Sequence, residues 1–65
     1  MYWLISARDT DSFSQLIERI TGIWDEDPTD VSHTEFTLRL YGPCSALIVE
    51  LEELGFTCTQ ERAAV

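Results

Sequence analysis

A chain of 65 residues with twelve Asp and Glu, four Arg and no Lys has a net charge of −8 and room for one small domain. That charge excludes direct binding to nucleic acid, because nucleic-acid-binding proteins present basic surfaces. An apolar fraction of 45% also excludes a disordered acidic tail. No apolar run approaches the roughly 20 residues of a membrane span, and no signal peptide is recognisable, so we expect a soluble, cytoplasmic domain.

The first part of the chain predicts a strand followed by a helix. Tyr2–Ala7 is a continuous apolar run with aromatic and β-branched residues, which is typical of a strand covered on at least one face. Asp11 or Ser12 is positioned to cap the helix, and Gln15 has capping-box spacing from Ser12. The apolar face of the helix recurs at i, i+3, i+4 and i+7 and consists of Phe13, Leu16, Ile17 and Ile20. Gly22 supplies a left-handed position that ends it.

The middle of the chain predicts a short strand, an acidic loop and a longer strand. Ile23 and Trp24 begin the short strand, and Asp25–Asp30, which contains Pro28, forms the loop. Thr34–Tyr41 alternates between apolar and polar residues, as a half-buried strand does.

The last third predicts a second helix and a final strand. Pro43 suits the first turn of this helix. Its buried stripe is predicted to comprise Cys44, Leu47, Ile48, Leu51 and Leu54. Gly55 ends the helix, and Phe56 falls where a Schellman cap packs it against Leu51. Phe56–Thr59 then forms a strand, and Gln60–Val65 is expected to be a loose tail.

Two successive strand-helix-strand units make one βαββαβ domain over residues 1–65. With both helices on one face of a four-stranded antiparallel sheet, this order is the α+β ferredoxin-like plait. The alternative is a three-stranded βαβαβ fold, if Ile23 and Trp24 do not pair.

Motifs for catalysis, cofactors or metals are not recognisable, so we expect neither an enzyme nor a cofactor. His33 lacks metal-ligand spacing, and Ser32, His33 and Asp30 are loop neighbours rather than a spatial triad. Asp25–Asp30 does not match an EF-hand, which leaves only a weak divalent-ion site as an alternative. Cys44 and Cys58 fit no redox or zinc motif and are read as reduced core thiols.

The candidate site is therefore acidic. Its predicted residues carry carboxylates in the central segment or on the second helix: Asp25, Glu26, Asp27, Asp30, Glu35, Glu50, Glu52 and Glu53. Glu50 and Glu53 are i, i+3 neighbours roughly 5–6 Å apart, a spacing comparable with successive DNA phosphates. Such a surface fits a basic groove built for DNA. The competing interpretation is a solvated helix face without a partner.

An uncovered sheet face is the other candidate surface. We expect Tyr2 or Trp3, together with Thr37, Arg39 and Tyr41, to line it. Such a patch suits a partner or a second copy, or Arg39 simply pairs with Glu35 or a carboxylate on a neighbouring strand.

The size, the Asp25–Asp30 run and the Glu50, Glu52 and Glu53 helix resemble the small acidic anti-CRISPR proteins that block type I Cascade complexes by mimicking DNA. The resemblance implies an inhibitor of PAM recognition in the bacterial cytoplasm, bound to the basic DNA-binding groove of a Cascade subunit. A monomer is expected rather than a dimer.

Two alternatives remain open. One is a small regulatory or structural plait that works as a homodimer through its sheet face. The other is a housekeeping domain whose acidic surface is an adaptation to molar salt.

Overall fold

The computed structural model describes residues 2–61. In chain order the described elements are β1 (Tyr2–Ser6), α1 (Thr10–Glu18), a π-helical segment (Arg19–Ile23), β2 (Thr29–Ser32), β3 (Thr37–Tyr41), α2 (Ser45–Glu53) and β4 (Thr57–Glu61).

The strands form one antiparallel sheet in the order β2-β3-β1-β4. β1 and β3 are central, and Ile5 of β1 lies opposite Leu38 of β3 and Cys58 of β4. The predicted ferredoxin-like plait is confirmed, including its four strands.

The core lies between the helices and one face of the sheet. Its fully buried residues come from β1, β3 and both helices: Ile5, Phe13, Leu16, Ile20, Leu38, Leu40, Leu47, Ile48 and Leu51. Ile5 and Leu38 share a sheet face because they are paired across β1 and β3. Both helices pack against this face, as predicted.

The start of α1 differs from the prediction. The cap is Asp9, whose Oδ1 accepts a hydrogen bond of 2.8 Å from the Ser12 backbone N–H. Asp9 has an extended backbone, which lets its side chain reach an N–H of the first turn. The prediction of Asp11 or Ser12 was wrong because the helix begins two or three residues earlier, at Thr10.

The end of the first helix also differs. Gly22 does not stop it with a left-handed backbone; the chain widens into the π-helical segment and continues to Ile23. The predicted strand at Ile23 and Trp24 is therefore wrong. The second strand lies later, at Thr29–Ser32, and overlaps the end of the predicted loop, Asp25–Asp30. An irregular edge strand tolerates this polar sequence, since only one of its edges is paired.

The predicted strand Thr34–Tyr41 is shorter in the structure. Residues 33–36 form a turn, and Phe36 has a positive φ of 58° before β3 begins at Thr37. The alternation from Leu38 to Leu40 is confirmed, because both are buried.

α2 begins at Ser45 with Cys44 as its N-cap residue, so Pro43 lies just outside the helix. Its end is as predicted. The Phe56 N–H donates to the Leu51 carbonyl and the Gly55 N–H to the Glu52 carbonyl, both at 3.1 Å, which is the Schellman pattern. Gly55 has the left-handed φ of 97° that this pattern needs.

Two expectations for the last third need correction. Leu54 is half exposed and does not belong to the buried stripe. Gln60 and Glu61 belong to β4, so the strand is longer than predicted. The rest of the predicted tail, residues 62–65, lies outside the described residues.

Candidate functional site

The central feature of the acidic surface is the acidic loop, which we define as Asp25, Glu26 and Asp27. All three side chains are exposed. The backbone before and within this loop is fixed by two hydrogen bonds, from Trp24 N–H to the Arg19 carbonyl (3.2 Å) and from Glu26 N–H to the Ile20 carbonyl (3.0 Å). Asp25 has a φ of 53°, a left-handed conformation that Asp tolerates better than most residues. The loop therefore follows directly on the π-helical segment, to which Trp24 and Glu26 are hydrogen-bonded.

Trp24 anchors the acidic loop to α2. Its indole N–H donates a hydrogen bond of 2.8 Å to Glu50 Oε2, and the Arg19 guanidinium lies 3.3 Å from the same oxygen. The Trp24 ring also packs against the core. We call Arg19, Trp24 and Glu50 the anchor. Arg19 and Trp24 were not among the predicted site residues, although a partly buried indole N–H is expected to have a hydrogen-bond acceptor.

Glu26 lies close to the N-terminal end of α2. Burial raises the pKa of the Cys44 thiol, and the nearby Glu26 carboxylate raises it further. Cys44 is the N-cap residue but gives no side-chain cap. A carboxylate at this position is favourable, because the N-terminus of a helix carries partial positive charge.

The carboxylates of α2 do not form one row. Glu50 faces the anchor, whereas Glu53 is exposed. Glu52 lies towards β4, where its charge helps to raise the pKa of Cys58. The Glu50–Glu53 pair therefore offers one exposed carboxylate and one that already accepts two hydrogen bonds.

Asp30 and Glu35 are not part of the acidic loop and have different surroundings. Asp30 Oδ2 accepts a hydrogen bond of 3.0 Å from Arg39, and this neighbouring-strand pair was one of the predicted options for Arg39. Asp30 accordingly raises the pKa of Arg39. Glu35 is exposed in the turn between β2 and β3, at the opposite end of the sheet from the acidic loop.

Most of the negative charge has no cationic partner within residues 2–61. The described ion pairs are Arg19–Glu50 and Arg39–Asp30. Six of the eight predicted site residues thus have no ion pair in this part of the chain: Asp25, Glu26, Asp27, Glu35, Glu52 and Glu53. All six are exposed. They are the part of the predicted site that is available to a partner.

The sheet face opposite the helices, which we call the open face, carries a polar and aromatic network. The Tyr2 hydroxyl donates to Glu61 at 3.2 Å, and the Tyr2 and Tyr41 rings lie 5.2 Å apart. Arg39 lies 5.0 Å from the centre of the Tyr2 ring. Trp3 does not share this face but packs on the core side. Burial and the hydrogen bond to Glu61 raise the pKa of Tyr2.

The residues considered for metal binding or catalysis have other contacts. His33 packs edge-on against the Phe13 ring, with the centroids 5.5 Å apart. The Ser32 hydroxyl lies 3.2 Å from that of Thr34 and accepts from the Glu35 N–H, while Asp30 is bound to Arg39. Within residues 2–61, no three His, Cys, Asp or Glu side chains are grouped as metal ligands would be. Cys44 and Cys58 are free, partly buried thiols.

The fold and the exposed carboxylates together define a small ferredoxin-like plait with an acidic surface. Neither helix in the described part of the chain has the length and apolar character needed to cross a membrane. No protein family, curated protein or solved structure matches the chain.

Proposed function

We propose that this chain inhibits a type I CRISPR Cascade complex by occupying the basic groove that binds the PAM duplex. It acts in the cytoplasm of a bacterial host, as a monomer, and without binding nucleic acid itself. The observation that carries the proposal is the acidic loop, in which three consecutive exposed carboxylates are held by backbone hydrogen bonds and by the anchor.

The chemistry of recognition follows from this loop. Arginine side chains that bind DNA phosphates also form charge-assisted hydrogen bonds with carboxylates. A loop that is already ordered loses little conformational entropy when it binds. The anchor therefore supports the proposal indirectly, since it fixes Trp24, the residue directly before the loop.

The other available carboxylates extend the surface along the molecule. Glu35 lies at the opposite end of the sheet from the acidic loop, and Glu53 is exposed on α2, about one turn beyond Glu50. A five-residue strand spans about 17 Å, which corresponds to roughly five base pairs of duplex DNA. Negative charge at both ends thus matches the dimensions of a short duplex. Asp30 and Glu50 contribute less to this surface, because each already binds an arginine.

A competition assay tests the proposal. A fluorescent duplex that contains the PAM is bound to a purified type I Cascade complex and displaced with increasing concentrations of this protein. We compare wild type with E26K/D27K and with E18K/D11K, each of which changes the net charge from −8 to −4. Asp25 is left in place because its left-handed backbone disfavours Lys.

The expected result distinguishes a specific effect of the acidic loop from an effect of the net charge. Wild type and E18K/D11K displace the duplex, E26K/D27K does not, and displacement weakens as salt rises. Circular dichroism melting of each variant confirms that it is folded. Equal displacement by E26K/D27K and wild type contradicts the proposal. Equal loss in both double variants shows that the loop has no specific role.

A second candidate function, a homodimeric regulatory plait, is favoured by the open face. Within residues 2–61 neither helix covers this face, on which Tyr41 is 54% exposed and Tyr2 and Leu4 are partly exposed. Sedimentation equilibrium distinguishes the candidates. A dimer that persists at all salt concentrations and dissociates in Tyr41→Asp supports this alternative, whereas a monomer at high protein concentration rules it out.

A further inference from the structure

A groove of about 430 Å³ runs beside α1 and the C-terminal end of α2. This volume lies within the usual range for sites that bind small molecules. Arg8, Ser12 and Arg19 contribute polar lining, whereas Ile23, Leu54 and Phe56 contribute apolar lining. The groove thus combines apolar and cationic groups.

The apolar side of the groove is unusually exposed. Ile23 and Leu54 are 66% and 50% exposed, and both are among the exposed large hydrophobic residues of the described chain. The π-helical segment turns Ile23 away from the core, since it holds more residues per turn than an α-helix. The Schellman cap places Leu54 at the last helical position, outside the buried stripe. A ligand that covers these side chains removes apolar surface from water.

The cationic side of the groove is provided chiefly by Arg8. Arg19 binds Glu50, and Arg39 binds Asp30 on the open face. Arg8 makes no ion pair with any carboxylate of residues 2–61, although the chain carries three times as many acidic as basic side chains. The charge of Arg8 helps to lower the pKa of the adjacent Asp9, but the guanidinium forms no ion pair there, and next to an apolar wall it is suited to a ligand with one anionic group.

We infer that the groove binds a small amphiphile with an apolar body and a single carboxylate, such as a medium-chain carboxylic acid. The carboxylate binds Arg8, and the apolar body covers Ile23, Leu54 and Phe56. Glu18, which also lines the groove, repels any anionic group, so the ligand carries only one, placed against Arg8. The net charge of −8 opposes any anion, but at 0.15 M salt the Debye length is about 8 Å, so distant carboxylates contribute little.

This inference goes beyond the proposed function, because it concerns the groove and needs no partner protein. It is tested on the isolated chain by NMR titration with hexanoate, octanoate and decanoate below their micelle concentrations. Amide shifts are expected at residues that line the groove. Affinity is expected to rise by up to about fourfold for each added CH₂ that is buried. Decanol, which lacks the charge, should bind more weakly than decanoate.

Each groove variant is paired with a control variant elsewhere on the surface, so that loss of binding at the groove is distinguished from a general effect of the substitution. R8M is expected to weaken decanoate binding roughly tenfold or more, while R39M, which removes an arginine from the open face, leaves it unchanged. L54D is expected to abolish binding, while V49D, at a residue of similar exposure on the outer side of α2, does not. All four side chains are at least partly exposed, so folding is retained, and the amide spectra verify this.

Three results overturn the inference: no saturable shift with decanoate, equal binding by R8M and wild type, or equal loss in L54D and V49D. A peptide whose apolar C-terminal residue ends in a free carboxylate offers the same chemistry from another source. An acetylated tripeptide ending in Leu is therefore titrated in parallel with its C-terminal amide. Binding of the peptide acid without binding of the carboxylate series overturns the assignment to a small amphiphile.

Discussion

The most direct test of the structure is the variant Glu50→Ala, which removes one of the three side chains of the anchor. This change removes the acceptor of the 2.8 Å hydrogen bond from Trp24 and of the 3.3 Å contact with Arg19. A hydrogen bond to a charged group contributes about 1.5–3 kcal/mol, and the lower end applies because the Glu50 side chain is 34% exposed. The partly exposed ion pair adds about 0.5 kcal/mol.

Glu50→Ala is therefore expected to lower the free energy of unfolding by about 2 kcal/mol, which corresponds to a fall in Tm of about 8–16 °C for a domain of this size. The measurement is urea denaturation followed by circular dichroism. Glu50→Gln serves as a conservative variant, since its amide oxygen still accepts from Trp24 and only the ion pair is lost.

Glu53→Ala is the matched control. Glu53 lies on the same helix but is exposed and has no ion pair within residues 2–61, so its removal should change stability by less than about 0.5 kcal/mol. Equal stability of Glu50→Ala and Glu53→Ala would refute the anchor. In that case both residues belong to a solvated helix face, as the competing interpretation of the sequence holds.

Three further predictions test other parts of the fold. In a denaturation experiment, Leu51→Ala should lower the free energy of unfolding by about 2–5 kcal/mol, because Leu51 is fully buried. Leu54→Ala should lower it by less than about 1 kcal/mol, because Leu54 is half exposed. Similar losses in the two variants would show that Leu54 belongs to the core. Gly55→Ala should lower the free energy of unfolding by about 1–2 kcal/mol, because Gly55 has a φ of 97°. Gly22→Ala should raise it by about 0.5–1 kcal/mol, because Gly22 is helical and has open space around it. A loss of stability in Gly22→Ala would contradict the π-helical segment. Burial, with smaller contributions from Glu52 and Cys44, raises the pKa of Cys58 to about 11, so its alkylation rate should keep increasing up to that pH in the folded protein. Because the protonated thiol is favoured in the folded state, the contribution of Cys58 to the free energy of unfolding is fully present below pH 9 and is lost as the pH rises from 9 towards 11. A Cys58→Ser variant should not show this loss.

Elements that depend on residues close together in the chain were predictable from the sequence. The periodicity of Phe13, Leu16 and Ile20 was enough to identify a helix and its buried face. Gly55 and Phe56 identified the Schellman cap, because that motif depends on one glycine and one apolar residue close in sequence. The order of these elements then led to the ferredoxin-like plait, since few arrangements bury both helices on one sheet.

Features that depend on contacts between residues far apart in the chain could be seen only in the tertiary structure. Ile23 and Trp24 are apolar and read locally as a strand, but Trp24 is instead held by Glu50, which lies 26 residues away. β2 was missed because a polar edge strand is defined by its pairing with β3 and not by its own alternation. For the same reason the sequence supplied the eight candidate carboxylates but not their separation. Only the folded chain pairs Asp30 and Glu50 with arginines and leaves the acidic loop exposed, because ion pairs depend on distances that sequence spacing does not fix.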